Sequence, residues 1–329
     1  MSASLVGSEM CIRDSYDTLN MYKWGLDSSY GLTGMAEGEF AVQDLTWEIV
    51  NKMNLGVELG FLNGMIDLQL DYFDERRKDI FMPRESVPMT AGFMKQPWKN
   101  FGKVTNQGVE VSLNVNKQFG KDLFVSLMGT FTYAHNEITE KDEPSAVVGT
   151  NRAETGHPVG QLTGYIAEGL FTEDDFEDVS TGKLKEGIPT QSFVGKLRPG
   201  DIRYRDVNGD GKVDVFDKSP IGGTKDPEIV YGFGLNMKYK DLDFGALFQG
   251  IGRSWNILGS SIIPGANRGV TGNMFTNAND RWTVDNPSQN VFYPRLDDGI
   301  NSNNNQPSTW WLRLSLIHIS EPTRLALIS

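Results

Sequence analysis

The sequence predicts an all-β fold: an antiparallel transmembrane β-barrel, incomplete, with about eight or nine strands and long extracellular loops. Three observations predict it. Apolar and polar residues alternate with a period of two along several stretches, which places them on opposite faces of extended chain. Tight turns alternate with long connections along the chain. No apolar run reaches the roughly eighteen residues of a membrane helix, whereas a spanning strand needs only about ten, every second one apolar.

The elements follow in order. Met53, Leu55, Val57, Leu59 and Phe61 share one face, with Lys52, Asn54, Gly56, Glu58 and Gly60 on the other. Asn63-Gly64 is a strong hairpin dipeptide. Beyond it, Ile66, Leu68, Leu70 and Tyr72 alternate with Asp67, Gln69 and Asp71. In the second pair, Val109, Val111, Leu113 and Val115 alternate with Glu110, Ser112, Asn114 and Asn116; a turn at Gly120-Lys121-Asp122 leads into Leu123, Val125, Leu127, Phe131 and Tyr133. The third pair sets Tyr231, Phe233, Leu235, Met237 and Tyr239 against Gly232, Gly234, Asn236, Lys238 and Lys240, and returns through Leu242, Phe244, Ala246 and Phe248.

Between pairs the connections are long: 74–107, 138–228 and 252–307. Loops beyond about fifteen residues are uncommon in compact domains. Their strict alternation with tight turns suits a barrel with short periplasmic turns and long external loops. A soluble β-sandwich also buries one strand face, but nothing in a sandwich makes loop length alternate. Aromatics near strand ends (Phe61, Tyr72, Phe73, Phe131, Tyr133, Tyr231, Tyr239) fit interfacial girdles.

A net charge of -12 without a basic stripe argues against nucleic acid as a partner. Cys11 is the single cysteine, so there is no disulfide framework and no cysteine metal site. Residues 1–15 (MSASLVGSEMCIRDS) show neither signal-peptide architecture nor strand alternation, and 315–329 breaks off a segment that had begun to look like a strand. Both resemble translated adapter tails and carry no fold signal. The domain assignment is therefore 16–314 as partial barrel, with 1–15 and 315–329 as artefactual tails.

One motif carries specific chemistry. Residues 206–217 (DVNGDGKVDVFD) fit a twelve-position EF-hand-type loop, with Asp206, Asn208, Asp210, Asp214 and Asp217 supplying oxygens and Lys212 its carbonyl. Gly211 permits the sharp turn, and Val213 is expected to pack inward. Asp217 replaces the usual bidentate Glu, so its reach is shorter. The expected cofactor is a structural Ca2+. The competing reading is an Asx-rich turn without an ion.

His135 and His157 lack metal-ligand spacing, and the acidic run 173–178 reads as a solvated loop face. Carboxylates are numerous, but no spacing singles out a catalytic pair, so no enzyme is expected. Phe93, Trp98, Phe101, Trp255 and Trp282 lie outside the regular strands and are the candidate substrate contacts, by stacking on sugars or gripping peptide side chains. Girdle or packing roles compete with that reading.

Several segments resemble a known family in its own order. They are 45–80 (LTWEIVNKMNLGVELGFLNGMIDLQLDYFDERRKDI), 106–114 (NQGVEVSLN), 156–171 (GHPVGQLTGYIAEGLF), 199–222 (PGDIRYRDVNGDGKVDVFDKSPIG), 231–250, Tyr293-Pro294-Arg295-Leu296 and 308–313 (STWWLR). They resemble the SusC/RagA-type TonB-linked outer-membrane transporters over roughly 16–314. The resemblance implies a large single-chain barrel with an N-terminal plug, importing oligosaccharides or peptides too large for diffusion. It further implies a SusD-like surface lipoprotein as a lid, energy from the TonB complex acting on the plug, and a bacterial outer membrane, typically of Bacteroidota. Plug, TonB box and closing strands are not expected in this stretch of chain, so the function belongs to the parent protein. Two alternatives remain: a passive porin, and a secreted calcium-stabilised carbohydrate-binding β-sandwich.

Overall fold

The computed structural model describes residues 20–24, 32–36, 42, 44–91, 96–258, 275–297, 301–315, 318–322 and 326–327. The N-terminal tail 1–15 and Phe93 lie outside the described residues. A hairpin of β1 (Asn20–Trp24) and β2 (Leu32–Ala36) comes first. Then come β3 (Ile49–Phe61), β4 (Ile66–Pro83), β5 (Trp98–Phe119) and β6 (Leu123–Glu140). Short strands follow: β7 (Gln161–Gly164), β8 (Ala167–Leu170), β9 (Phe176–Asp178), β10 (Lys183–Leu184), β11 (Thr190–Gln191), β12 (Ile202–Tyr204), β13 (Lys212–Val213) and β14 (Ser219–Thr224). The chain continues with β15 (Ile229–Tyr239), β16 (Leu242–Gly252), β17 (Ser254–Ile257), β18 (Leu312–Ser315), β19 (His318–Pro322) and β20 (Ala326–Leu327).

Six long strands form one antiparallel sheet in the order β16-β15-β6-β5-β4-β3, and β19 and β20 pair with the outer edge of β16. The sheet is open among the described residues, so this is barrel wall rather than a closed barrel. The backbone of 318–322, inside the segment read as a tail, thus lies in a strand.

Register aligns the alternation across strands. Phe131, Tyr231 and Gly250 stand side by side, as do Gly129, Phe233 and Phe248, then Leu127, Leu235 and Ala246, then Val125, Met237 and Phe244, and finally Leu123, Tyr239 and Leu242. The rings of Phe233 and Phe248 stack at 4.7 Å. On the opposite face Thr130, Gly232 and Gln249 form one row, and Ser126, Asn236 and Gly245 another. The apolar face is uncovered: Leu55 is 60% exposed and Phe233 53%. A soluble sandwich buries that face; a membrane wall turns it to lipid.

The long strands exceed the lengths that alternation suggests. β5 has 22 residues, about 70 Å of extended chain, where about ten cross a bilayer. The expected 74–107 connection is mostly strand, and only 84–97 joins β4 to β5. Apolar alternation on β5 ends at Val109, and Gln107, Thr105 and Lys103 continue that face with polar side chains. Without lipid on one side nothing enforces a period of two, so the outer half of the strand carries no pattern.

The chain divides into two compact units. In the first, Met1–Val57 with Leu70–Val109 and Ala134–Val159, polar side chains hold the strand ends and connections. Asn100 donates to the carbonyls of Thr46 and Asp79, both at 2.8 Å, and accepts from the Thr46 N–H. Asp79 has a φ of 57°, a bulge-like conformation that these bonds help to fix. Buried Asp142 accepts from the N–H and hydroxyl of Ser86 and pairs with Arg84 at 3.0 Å. Burial pushes the Asp142 pKa up, but Arg84 and Ser86 outweigh it and hold the carboxyl below its usual range.

The second unit, Glu58–Gln69 with Glu110–Tyr133 and Gly160–Ser329, holds the hydrophobic core. Tyr165, Leu170, Ile202, Tyr204, Val213, Trp282, Tyr293 and Trp311 cluster together, and Phe171, Phe176 and Leu197 form a satellite. Among the described residues of the expected loops 138–228 and 252–307, the chain forms small sheets pairing β7 with β14 and β8 with β12, and β17 pairs with β18.

Candidate functional site

Three parts of the second unit combine polar chemistry with defined geometry. The first is a groove of 410 Å³ lined by Glu58, Leu59, Gly60, Asp67, Leu68, Gln69, Ser112 and Asn114. Six of these eight belong to the polar face read from the sequence, from three neighbouring strands. Two carboxylates, two amides and a hydroxyl line it without a Lys or Arg, so acceptors outnumber donors and it favours a donor-rich solute. Exceptions to polarity lie across β6, β15 and β16, where Met128 and Leu247 flank Gly234 on the same face.

The second part is the 206–217 loop. Asp206 accepts from the N–H groups of Gly209 at 2.6 Å and Gly211 at 2.8 Å. Asn208 accepts from Asp210 N–H, Asp210 from Lys212 N–H, and Asp214 from Phe216 N–H. Gly209 and Gly211 have φ near the left-handed region, 76° and 82°, which L side chains resist. Val213 is fully buried, as its place in the motif requires. Asp217 departs from the ligand assignment: it is wholly buried and takes N–H bonds from Val207, Asn208 and Asp214. Among the described residues no three His, Cys, Asp or Glu side chains converge as a ready metal cluster. Burial pushes the neighbouring Tyr165 phenol up to about 12, with the Asp217 and Asp214 charges adding to it.

The third part was not legible as a site: a buried polar clasp. Asp201 is fully buried, and one of its oxygens accepts from Arg295 Nε at 3.1 Å, Asn301 at 3.0 Å and Asn304 at 3.1 Å, while the other accepts from Arg198 N–H at 2.9 Å. Asn304 also accepts from Ile202 N–H. Asn303 donates to the Ile202 carbonyl, and its own carbonyl accepts from the Tyr204 hydroxyl. Gln191 accepts from Tyr204 N–H and donates to Asn303. Burial raises the Asp201 pKa against the pull of Arg295 and the Arg198 N–H. The signal was the run 301–305 (NSNNN) before Trp310-Trp311; Asn runs read as loops unless their amides are seen to meet buried backbone.

Of the candidate substrate aromatics, Trp98 and Phe101 lie on β5 in the first unit, and Trp255, on β17, and Trp282 lie in the second, so three of them stand on strands rather than outside them. Trp98 stacks on Phe81 at 5.2 Å, and Arg84 covers the Phe101 ring at 5.2 Å. Trp255 lies against Gly222 and Gly223, where a Cβ would meet the indole at 3.0 and 2.9 Å. Trp282 is 6% exposed in the core beside Gly200, too deep to offer a face to a solute. The acidic run begins with a 3-10 turn, Glu173–Asp175, in which Asp175 accepts from Thr172 N–H and hydroxyl.

Residues 14–223 match the family model described as TonB dependent receptor-like, beta-barrel. TonB-dependent receptor P26 of Formosa agariphila is 27% identical over 270 residues, covering 79% of this chain and 26% of its own. TonB-dependent receptor SusC of Bacteroides thetaiotaomicron is 28% identical over 207 residues, covering 61% and 19%. A structure of the RagAB peptide importer in the open-open state shares the fold, with a TM-score of 0.63 at 20% identity over 93% of this chain and 30% of that one. The chain thus spans only about a quarter of the length of the curated relatives it matches.

Proposed function

Given that this chain belongs to the TonB dependent receptor-like β-barrel family of the bacterial outer membrane, we propose that its parent protein is an energy-coupled nutrient importer. The cargo is an oligosaccharide or peptide too large to diffuse through a pore. Coupling runs through a plug and the TonB complex, and a SusD-like lipoprotein covers the mouth. The wall carries this reading: an uncovered apolar face in register across β6, β15 and β16, and an acceptor-lined polar groove on the other side of β3, β4 and β5. Similarity to SusC and to the RagAB peptide importer supports active uptake over a passive porin. Family membership sets aside the secreted sandwich. The test is uptake by cells carrying the intact parent gene, with and without a functional TonB complex. Uptake that persists without TonB would establish the porin.

A structural cation in the 206–217 loop is a second proposal. Asp206, Asn208, Asp210 and Asp214, with the Lys212 carbonyl, would hold Ca2+, while Asp217 closes the loop from inside. Its support is that backbone N–H groups already orient the carboxylates, each of whose oxygens has a further lone pair. Calorimetric titration of the parent with Ca2+ should show one site lost on Asp206→Ala with Asp210→Ala. Absence of wild-type binding removes the proposal.

A further inference from the structure

The chain holds two Asn-Gly dipeptides, Asn63-Gly64 and Asn208-Gly209, in opposite chemical situations. Asn-Gly is prone to cyclise: the glycine nitrogen attacks the Asn side-chain carbonyl carbon, a C–N bond forms, and ammonia leaves with the displaced proton. Water then opens the five-membered imide to an aspartyl or isoaspartyl residue. The step needs an exposed Asn, an available glycine N–H and a backbone that can bend toward the side chain.

Asn208 is exposed as well, but its other two requirements are blocked. The Gly209 N–H is held by the Asp206 carboxylate at 2.6 Å. The Asn208 amide accepts from Asp210 N–H at 3.0 Å and donates to the Asp210 carboxylate at 3.2 Å. Both ends of the reacting pair are pinned by charge-assisted or backbone bonds.

At Asn63 none of these restraints appears. Asn63 is exposed, no hydrogen bond holds its side chain or the Gly64 N–H among the described residues, and a Cβ on Gly64 would meet nothing within 4 Å. The turn is also strained. Leu62, Asn63 and Gly64 have φ of 55°, 56° and 80° in succession, and for Leu62 the left-handed conformation has a steric cost. Leu62 is 67% exposed, so no packing offsets that cost. Opening this tip relieves strain, and opening is what brings the Gly64 nitrogen toward the Asn63 side chain.

We propose that Asn63 is a site of spontaneous deamidation in this protein, while Asn208 is protected by the Asp206 and Asp210 carboxylates. The product adds a negative charge to the turn joining the strands that carry Glu58 and Asp67. The experiment is peptide mapping by mass spectrometry of the detergent-purified full-length parent, after timed incubation at mildly alkaline pH. The Asn63 peptide should convert roughly tenfold or more faster than the Asn208 peptide, the factor that charge-assisted hydrogen bonds of this kind confer. Asp206→Ala should bring Asn208 toward the rate of Asn63. An unconverted Asn63, an Asn208 that keeps pace with it in the wild type, or an unchanged Asn208 in Asp206→Ala would each overturn the assignment.

Discussion

Replacing Asp201 by Ala should open the clasp between β12 and residues 301–305. Its carboxylate serves the Arg295 guanidinium, the amides of Asn301 and Asn304, and the Arg198 N–H. Removing it leaves a cation only 15% exposed without this partner, and three further donors short of an acceptor. Breaking a buried pair from one side costs about 3–5 kcal/mol. Unsatisfied neutral donors add about 1–3 kcal/mol each, which relaxation and Asp297, at 2.8 Å from Arg295, offset in part. A net loss of about 4 kcal/mol follows, some three decades in a local opening equilibrium. Hydrogen exchange at Ile202 and Tyr204 reads it directly, because local opening exposes those amides. Asp201→Asn keeps one acceptor oxygen and should fall between wild type and Asp201→Ala. Acceleration below tenfold in Asp201→Ala would refute the view that this carboxylate organises the region.

Other expectations follow from single positions. Gly200 has a φ of 86°, and a Cβ there would overlap the Trp282 ring and approach Arg295. Gly200→Ala should cost at least about 2 kcal/mol, measured as faster exchange at Trp282 and Tyr293 with β15 unaffected. Leu235→Lys sets a charge against lipid and should weaken barrel assembly by about 2–4 kcal/mol, seen as loss of heat-modifiable gel migration, whereas Asn236→Lys on the polar face should assemble normally. Asp142 has a lowered folded-state pKa, so its contribution is present above its unfolded pKa and is lost as pH falls through the folded value. Protection of the Ser86 amide, its exchange rate relative to the intrinsic rate at the same pH, should therefore fall on acidification below about pH 4, and Asp142→Asn should abolish that acid dependence.

The membrane-facing half of the molecule was legible because lipid imposes a rule on every second residue. Leu123 to Phe131, Tyr231 to Tyr239 and Leu242 to Phe248 each obey it, and the tight turn between β15 and β16 leaves that pair no freedom to slip. Glu58, Gly60, Asp67, Gln69, Ser112 and Asn114 were on the polar face by the same parity, although only the assembled sheet shows that they line one groove. The 206–217 motif was readable because its chemistry is local, each carboxylate binding backbone a few residues away.

Tertiary structure alone decided the rest. Sequence spacing placed Trp282 among candidate contacts, but a ring beside a left-handed glycine 82 positions earlier is set by long-range packing. Asn303 and Asn304 read as loop residues until Ile202, about a hundred positions away, supplies the backbone groups they satisfy. A repeating environment writes itself into the order of residues, since each position meets the same lipid or water as the one two places on. A buried polar clasp has no such period: its members share only a meeting point, which exists once distant segments have folded together.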